Sequence, residues 1–316
     1  MSFVSYNQPV SEAASIPITA ATRYCAVYGH PVHHSASPAM QNAGIAALGL
    51  DWRYLAFDVH PDQLRPAIAG AKAMKFIGLN LTVPHKLLAL EMVDVLDATA
   101  NQWGAVNTIR FEARTRGGEW VPLAQLAPGE IMEVRSQGFN TDADALVQAV
   151  QEDLELPLKG ARVLLLGAGG AGRVAALRLA AEGVSELFLV NRTVSKAEKI
   201  ASEIKQLFGT VGVSIGYPAD AVDLILNATS LGLQASDASP LDEMKFPFKK
   251  ARAVYDMIYR PAESRLLKAA KAEGCRTANG LSMLLYQGAK ALEIWAGKPA
   301  PLKIMRAALV KNVYGK

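Results

Sequence analysis

The sequence predicts an α/β protein made of two α/β units with a cleft between them, and three observations carry that reading. Short apolar runs alternate with segments of helical period along nearly the whole chain, the pattern of strands joined by helical crossovers. A glycine-rich stretch, Gly167-Ala168-Gly169-Gly170-Ala171-Gly172, stands between an all-apolar run and a helical one. The chain has 316 residues, 51% hydrophobic and 20% charged, and at roughly 100–200 residues per domain that length holds two domains with real cores.

The first unit begins with a strand at Tyr24–Tyr28. Ser37 followed by Pro38 reads as an N-cap and first helical residue for a helix through Leu48. Trp52–Phe57 is the next strand, Pro61–Met74 a helix, and Phe76–Asn80 a third strand; a helix over His85–Leu96 and a strand at Val106–Phe111 close the series. Glu112 to Ser136 breaks the rhythm with scattered charges, Gly117-Gly118 and two prolines, and is expected to form a hairpin or a long surface excursion. Asp142 reads as the cap of a helix with Leu146, Val147, Val150 and Leu154 on its apolar face.

The second unit opens at Val163–Leu166, an all-apolar strand of the kind a parallel sheet buries on both faces. Helix Arg173–Ala181, strand Leu187–Val190, helix Val194–Phe208, strands Leu224–Asn227 and Ala253–Asp256, helix Glu263–Glu273 and a short strand at Arg276–Ala278 follow. Two helices, Leu281–Ala296 and Pro301–Val313, finish the chain.

Composition excludes several classes. The 25 glycines and 16 prolines form no short repeat, so fibrous and disordered chains are out. Apolar stretches are interrupted well before the roughly 20 residues of a spanning helix, which leaves no membrane partner, and the mean hydropathy is only +0.14. A net charge of +4 without Lys/Arg runs interleaved with aromatics argues against nucleic acid and for a small anion. Cys25 and Cys275 lie far apart in apolar contexts, which fits reduced, buried thiols. Met1 to Thr22 has neither a charged start nor a continuous apolar core, so a cytoplasmic location and a loosely held arm are expected.

The glycine stretch fits a dinucleotide-binding turn: Gly167 for the tight bend, Gly169 for close approach of a pyrophosphate, Gly172 for helix–strand packing, with the helix N-terminus facing the phosphates. One strand later, where an NAD site places a carboxylate on the ribose 2′-hydroxyl, the chain reads Asn191-Arg192-Thr193. A guanidinium and a hydroxyl suit a 2′-phosphate, so NADP is the expected cofactor; the plainer alternative is a solvated Arg192 and a capping Thr193. Arg192, with Arg173, is expected to serve the cofactor phosphates.

Four polar clusters fall at strand ends, where open α/β sheets gather ligands: Ser35 with Ser37, Asn80 with Thr82 and Lys86, Asn107 with Thr108, and Asn140-Thr141-Asp142. Each has an ordinary explanation by itself, as helix cap, turn residue or solvated lysine. Lys86 falls in the first turn of its expected helix, beside a dipole that disfavours positive charge. His33 and His34 are adjacent, with no spaced partner to complete a metal site, so no metal is expected.

Together these segments resemble the shikimate dehydrogenase family. The matching blocks are Gly29-His30-Pro31-Val32-His33-His34-Ser35-Ala36-Ser37-Pro38, Gly78-Leu79-Asn80-Leu81-Thr82-Val83-Pro84-His85-Lys86, Gly104-Ala105-Val106-Asn107-Thr108 and Gly138-Phe139-Asn140-Thr141-Asp142. The glycine loop with Asn191-Arg192-Thr193, then Asn227-Ala228-Thr229-Ser230-Leu231-Gly232, Tyr255-Asp256-Met257-Ile258-Tyr259-Arg260-Pro261 and Asn279 to Gln287 continue the series in order.

The resemblance implies reversible, NADP-linked reduction of 3-dehydroshikimate to shikimate, in aromatic amino-acid biosynthesis. It assigns Lys86 and Asp142 to catalysis, and Ser35, Ser37, Asn80, Thr82, Asn107, Tyr259 and Gln287 to the substrate. It assigns Gly167, Ala168, Gly169, Gly170, Ala171, Asn191, Arg192, Thr193, Asn227, Thr229, Ser230, Met257 and Gly280 to the cofactor. The implied architecture is an N-terminal substrate domain, residues 1–141 with 280–316, and a Rossmann-type NADP-binding domain, residues 142–279. The implied assembly is a monomer or homodimer.

The chain departs from the family pattern in Ala143-Asp144-Ala145, where glycines are usual, and in the arm before Tyr24 and the 112–136 segment. The runner-up activity is quinate oxidation with NAD or either cofactor. Relatives favouring quinate tend to carry Thr where Ser37 stands, a difference of about 1–3 kcal/mol in binding. A ligand-sensing relative without catalysis is the alternative from another class; the intact Lys86 and Asp142 speak against it.

Overall fold

A computed structural model describes residues 17–126, 133–234 and 236–315. In chain order the strands and helices of the first half are β1 (Arg23–Gly29), α1 (Ser37–Ala47), β2 (Trp52–Asp58), α2 (Leu64–Ala73), β3 (Gly78–Leu81), α3 (His85–Leu88), β4 (Val95–Leu96), α4 (Ala98–Trp103), β5 (Thr108–Arg114), β6 (Trp120–Pro122) and β7 (Glu133–Phe139). They form one sheet of order β2-β1-β3-β5-β7-β4, with β6 beside β5. The edge strand β2 is protected from its α1 side. Asn42 donates to Tyr54 O at 2.9 Å and accepts from Tyr54 N at 2.9 Å, so an amide side chain occupies backbone groups that another strand would otherwise pair with.

The second half contains α5 (Asp142–Leu154), β8 (Arg162–Leu166), α6 (Gly170–Glu182), β9 (Glu186–Val190), α7 (Val194–Leu207), β10 (Gly212–Ile215), β11 (Val222–Asn227), β12 (Ala251–Asp256), α8 (Arg265–Ala272), β13 (Arg276–Asn279), α9 (Leu281–Ala296) and α10 (Leu302–Tyr314). Its strands make an all-parallel sheet of order β10-β9-β8-β11-β12-β13. The order reverses between β8 and β11, and open sheets of this kind bind ligands at that crevice.

The terminal helices return to the first sheet. Trp295 on α9 is fully buried and donates from its indole to Ile109 O at 2.9 Å. Gly78 permits this approach, since a Cβ there would stand 2.1 Å from Trp295 Nε1. Gln41 of α1 donates to Gly288 O of α9 at 2.8 Å, and Gly288 has room only for a hydrogen against Met40. Burial raises both free thiols, Cys25 and Cys275. No helix of the described residues is long and apolar enough to cross a membrane.

Several local expectations fail. The helix expected over His85–Leu96 stops after Leu88, because Lys86 O accepts from Val106 N at 2.8 Å instead of continuing the helical ladder. A second helix, α4, starts instead at Asp97, whose carboxylate accepts from Thr99 N and Ala100 N. The hairpin expected within 112–136 does form, β5 with β6, but the segment also returns to the sheet: β5 pairs with β7 in seven-residue register from Thr108↔Phe139 to Arg114↔Glu133. The charges that disguised it are paired, with Glu112 accepting from Arg110 at 2.5 Å and from Arg135 at 2.7 Å. Residues 127–132 of that segment, and most of the arm 1–22, lie outside the described residues. Strand β10 has no counterpart among the expected elements.

Candidate active site

Neither Ser37 nor Asp142 is a helix cap. Ser37 is the first residue of α1, with Ser35 Oγ accepting from its amide at 3.3 Å. Asp142 is the first residue of α5, and Asn140 Oδ1 does the capping, accepting from the amides of Asp142 and Ala143 at 3.1 Å each. This leaves the Asp142 carboxylate free for a distant partner, and Lys86 Nζ donates to its Oδ2 at 2.7 Å. The helix under Lys86 has only four residues, too short for the dipole expected from sequence to weigh much. Proximity to Asp142 is the stronger feature.

The pair lies on the seam between two cavities. One, of about 310 Å³, is polar: Ser35, Ser37, Asn80, Thr82, Tyr259 and Gln287 line it together with Lys86 and Asp142. The other, of about 260 Å³, is apolar, walled by Leu87, Ala105, Gly170, Ala171, Val174 and Met283. Met257 and Met283 face both. A third groove runs along the crevice after β8 and β11, with Gly167, Gly169, Arg192, Thr193, Lys196 and Thr229 in its wall. Ser230 and Asn191 also line it, and no carboxylate of the described residues does.

The polar cavity is held by hydrogen bonds beneath it. Asn80 is oriented by Tyr54, whose buried hydroxyl donates to Asn80 Oδ1 at 2.7 Å, while Asn80 Nδ2 donates to Thr108 Oγ1 at 3.0 Å. Asn107 is only 1% exposed and lies behind the cavity wall. Its amide donates to Thr141 Oγ1 at 2.9 Å and accepts from Thr141 N at 2.8 Å, which fixes the residue preceding Asp142. Burial raises the Tyr259 phenol, and Gln287 Nε2 bonds Leu284 O at 2.8 Å within its own helix. His34 lines the same cavity, with the His33 ring 4.0 Å from its own. Among the described residues no group of three or more His, Cys, Asp or Glu could hold a metal.

The crevice residues divide into those that face it and those that shape it. Asn191 holds the glycine loop, accepting from Ala168 N at 3.0 Å. Asn227 is fully buried, donating to Asp256 at 2.9 Å and accepting from Thr229; burial raises the Asp256 carboxyl, to which Ser264 donates at 2.5 Å. Gly280 lies in the polar cavity. Arg173 does not face the phosphate path: its guanidinium grips both carboxylate oxygens of Glu203 and donates to Trp103 O at 2.8 Å. Tyr54, Leu87 and Met283 carry no sequence signal of their own, beyond the last two falling inside or beside matching blocks.

The crevice fits a dinucleotide. A Cβ on Gly172 would lie 2.1 Å from Gly167 O, so glycine is what lets α6 pack against the loop, whereas a Cβ on Gly169 would meet nothing within 4 Å. That open face beside the α6 N-terminus matches a pyrophosphate, and Arg192, Thr193 and Lys196 without a carboxylate match a 2′-phosphate.

Numbered from β8, the second sheet has the order 3-2-1-4-5-6, and with a lysine–aspartate pair facing its glycine loop the molecule is a two-domain, dinucleotide-dependent dehydrogenase. Residues 27–109 match the shikimate dehydrogenase substrate binding domain, 148–256 shikimate / quinate 5-dehydrogenase, and 280–310 the shikimate 5′-dehydrogenase C-terminal domain. The shikimate dehydrogenase (NADP(+)) of Methanopyrus kandleri is 37% identical over 308 residues, 95% of this chain and 99% of its own. The crystal structure of shikimate 5-dehydrogenase from Thermus thermophilus in complex with NADP(H) and shikimate is 35% identical, with a TM-score of 0.76 over 92% of this chain and 99% of that one. Quinate dehydrogenase from Corynebacterium glutamicum in complex with NAD is similar at 28% identity, with a TM-score of 0.76 over 92% and 99%. The chain belongs to the shikimate dehydrogenase family.

Proposed function

We infer that this chain is an NADP-dependent shikimate dehydrogenase, catalysing the reversible reduction of 3-dehydroshikimate to shikimate. The observation that carries the reading is the Lys86–Asp142 pair, 2.7 Å apart, on the seam between a polar cavity and an apolar one that reaches the glycine loop.

A ring acid with several hydroxyls needs short donors and acceptors on many sides, and Ser35, Ser37, Asn80, Thr82, Tyr259 and Gln287 supply them. Asn107 acts one step back, through Thr141. Gly170, Ala171 and Met257, which wall the apolar cavity, would hold the nicotinamide end of bound NADPH, whose chemistry would be to supply the hydride. Lys86 Nζ gives a proton to the C3 carbonyl oxygen as that oxygen gains charge. Asp142, with 12% of its side chain exposed, holds the ammonium on the seam and exchanges the proton through the new hydroxyl. Arg192 and Thr193 would take the 2′-phosphate and the glycine loop would face the pyrophosphate, all of them lining the same crevice.

The division into a substrate domain, 1–141 with 280–316, and an NADP domain, 142–279, is supported by the confinement of each sheet to its own segment and by the packing of α9 and α10 on α1. Helix α5 contacts both α6 and α9, which makes it the joint. We place the enzyme in the cytoplasm.

Initial rates with shikimate and quinate, each with NADP and NAD, test the reading. Turnover of shikimate with NADP above the other three combinations supports it; a clear quinate or NAD preference overturns it.

A further inference from the structure

We propose that Arg173 is a positioning residue: it ties the cofactor loop to the segment before β5 that carries the catalytic lysine's backbone partner, and so sets the spacing across which hydride and proton are delivered. The proposal rests on the dehydrogenase reading above and adds a residue that faces neither substrate nor phosphate.

Arg173 stands in the first turn of α6, three residues after Gly170. Its Nη1 crosses from the second unit to the first, donating to Trp103 O at 2.8 Å and reaching Gly104 O at 3.5 Å. Glu203 on α7 takes the other edge of the guanidinium, accepting from Nε at 2.9 Å and from Nη2. A planar fork held on one edge by a carboxylate presents its remaining donors in a fixed direction. With its donors spent on Glu203, Trp103 and Gly104, the group has little left for a phosphate.

The receiving side is shaped for the contact. Gly104 has φ +58°, and a Cβ there would stand 2.8 Å from Arg173 Nη1, so glycine both ends α4 and leaves room for the guanidinium. Trp103 is 4% exposed, and Arg178, further along α6, lies 5.9 Å from its ring centroid while donating to Asp144 at 2.9 Å.

The segment leaving Gly104 leads straight to the reacting groups. Ala105 walls the apolar cavity; Val106 N donates to Lys86 O at 2.8 Å; Asn107 clamps Thr141 beside Asp142. On the other side, Gly170 and Ala171 wall the same cavity, and Leu87 approaches within 3.6 Å of where a Gly170 Cβ would be. The latch therefore joins the two walls between which the hydride donor and the proton donor must meet, and a misplacement of about 1 Å in such a site costs on the order of 100-fold in rate.

The test compares Arg173→Ala, Arg173→Lys and Gly104→Ala with the parent enzyme. Six quantities are read: Tm, NADP Kd by fluorescence, kcat and KM for shikimate, the isotope effect with shikimate deuterated at C3, and amide hydrogen exchange of 104–107 in the ligand-free protein. For Arg173→Ala and Gly104→Ala we expect kcat to fall by about tenfold or more, the isotope effect to rise as hydride transfer limits turnover, and the Val106 amide to exchange about tenfold faster, with Kd changed less than about threefold. Arg173→Lys, which keeps one donor for Trp103 O, recovers part of the loss.

An unchanged kcat and isotope effect beside a lowered Tm would make the pair merely structural and overturn the proposal. So would a rise in Kd of about tenfold at unchanged kcat, which would make Arg173 a phosphate ligand. If Arg173→Ala does not fold, the other two variants report the same quantities. If the parent enzyme does not oxidise shikimate, the functional reading fails, while exchange at 104–107 still decides whether the latch exists.

Discussion

Replacing Lys86 by methionine removes the proton and the charge while keeping a side chain of similar length. The structure limits what else can change. The helical turn that carries residue 86 is anchored by its backbone, through Val106 N to Lys86 O at 2.8 Å, and 30% of the lysine side chain is exposed. Asp142 loses its 2.7 Å partner but keeps contact with solvent at 12% exposure, so the fold should survive. Among the described residues Lys86 is the only lysine or arginine in the wall of either cavity, so no neighbouring ammonium or guanidinium can take over its task.

Loss of positioned general acid catalysis costs typically about 10²–10⁴ in rate, about 3–5 kcal/mol of barrier. The expected outcome is a kcat lowered by that range with KM for shikimate changed by less than about tenfold, measured as NADPH formation at saturating NADP. The double variant with Asp142→Asn should be scarcely slower than Lys86→Met alone, because a pair that acts as a unit is lost with its first member. A kcat within about threefold of the parent enzyme refutes the catalytic assignment.

Three other outcomes follow from the geometry. Gly172→Ala puts a Cβ 2.1 Å from Gly167 O; parting α6 from the loop should cost about 1–3 kcal/mol, lower Tm by about 2–4 °C per kcal/mol, and weaken NADP binding in calorimetry, and unaltered binding would contradict the loop assignment. Arg192→Ala should lower the NADP-over-NAD preference in kcat/KM by roughly tenfold or more, mainly through the NADP value; an equal loss for both cofactors would place Arg192 elsewhere. His85 is fully buried, and desolvation, outweighing a backbone hydrogen bond at Val59, holds its pKa below the ordinary 6.5. Its neutral form therefore stabilises the fold above pH 6.5, and that contribution is lost as pH falls from there through the lowered folded-state value. Exchanging it for leucine removes this titration while His30, Asp58 and His60 remain nearby. The fall in Tm between about pH 7.5 and 5 should be smaller in His85→Leu; identical slopes would count against the argument.

Legibility varies from residue to residue. The glycine loop can be read from sequence because its chemistry is local: bend, close approach and helix start all fall within six consecutive residues. Helix α9 is readable to its ends because a glycine precedes it and another, at φ +65°, terminates it. The helix expected over 85–96 fails for a non-local reason, the capture of Lys86 O by Val106, which no window of sequence contains. The last residues of β5 and the whole of β7 are hidden because their alternation is written in Arg110, Glu112 and Arg135, charges that pair around a buried Glu112 only once the strands are side by side.

The site divides along the same line. Residue type alone settles the inventory of side chains: a lysine, an aspartate, short hydroxyls and amides at strand ends, and an arginine where an NAD enzyme carries a carboxylate. Those choices are chemical, and they need no neighbour to be recognised. Which of them meet is a matter of packing. The folded chain brings Lys86 to Asp142 across 56 positions, withdraws Asn107 and Asn227 behind the walls they support, frees Asp142 from capping by giving that task to Asn140, and turns Arg173 away from the phosphates towards Trp103. Most of these outcomes depend on hydrogen bonds between segments far apart in the chain, and such bonds are chosen by the way two sheets and the helices between them close around one seam.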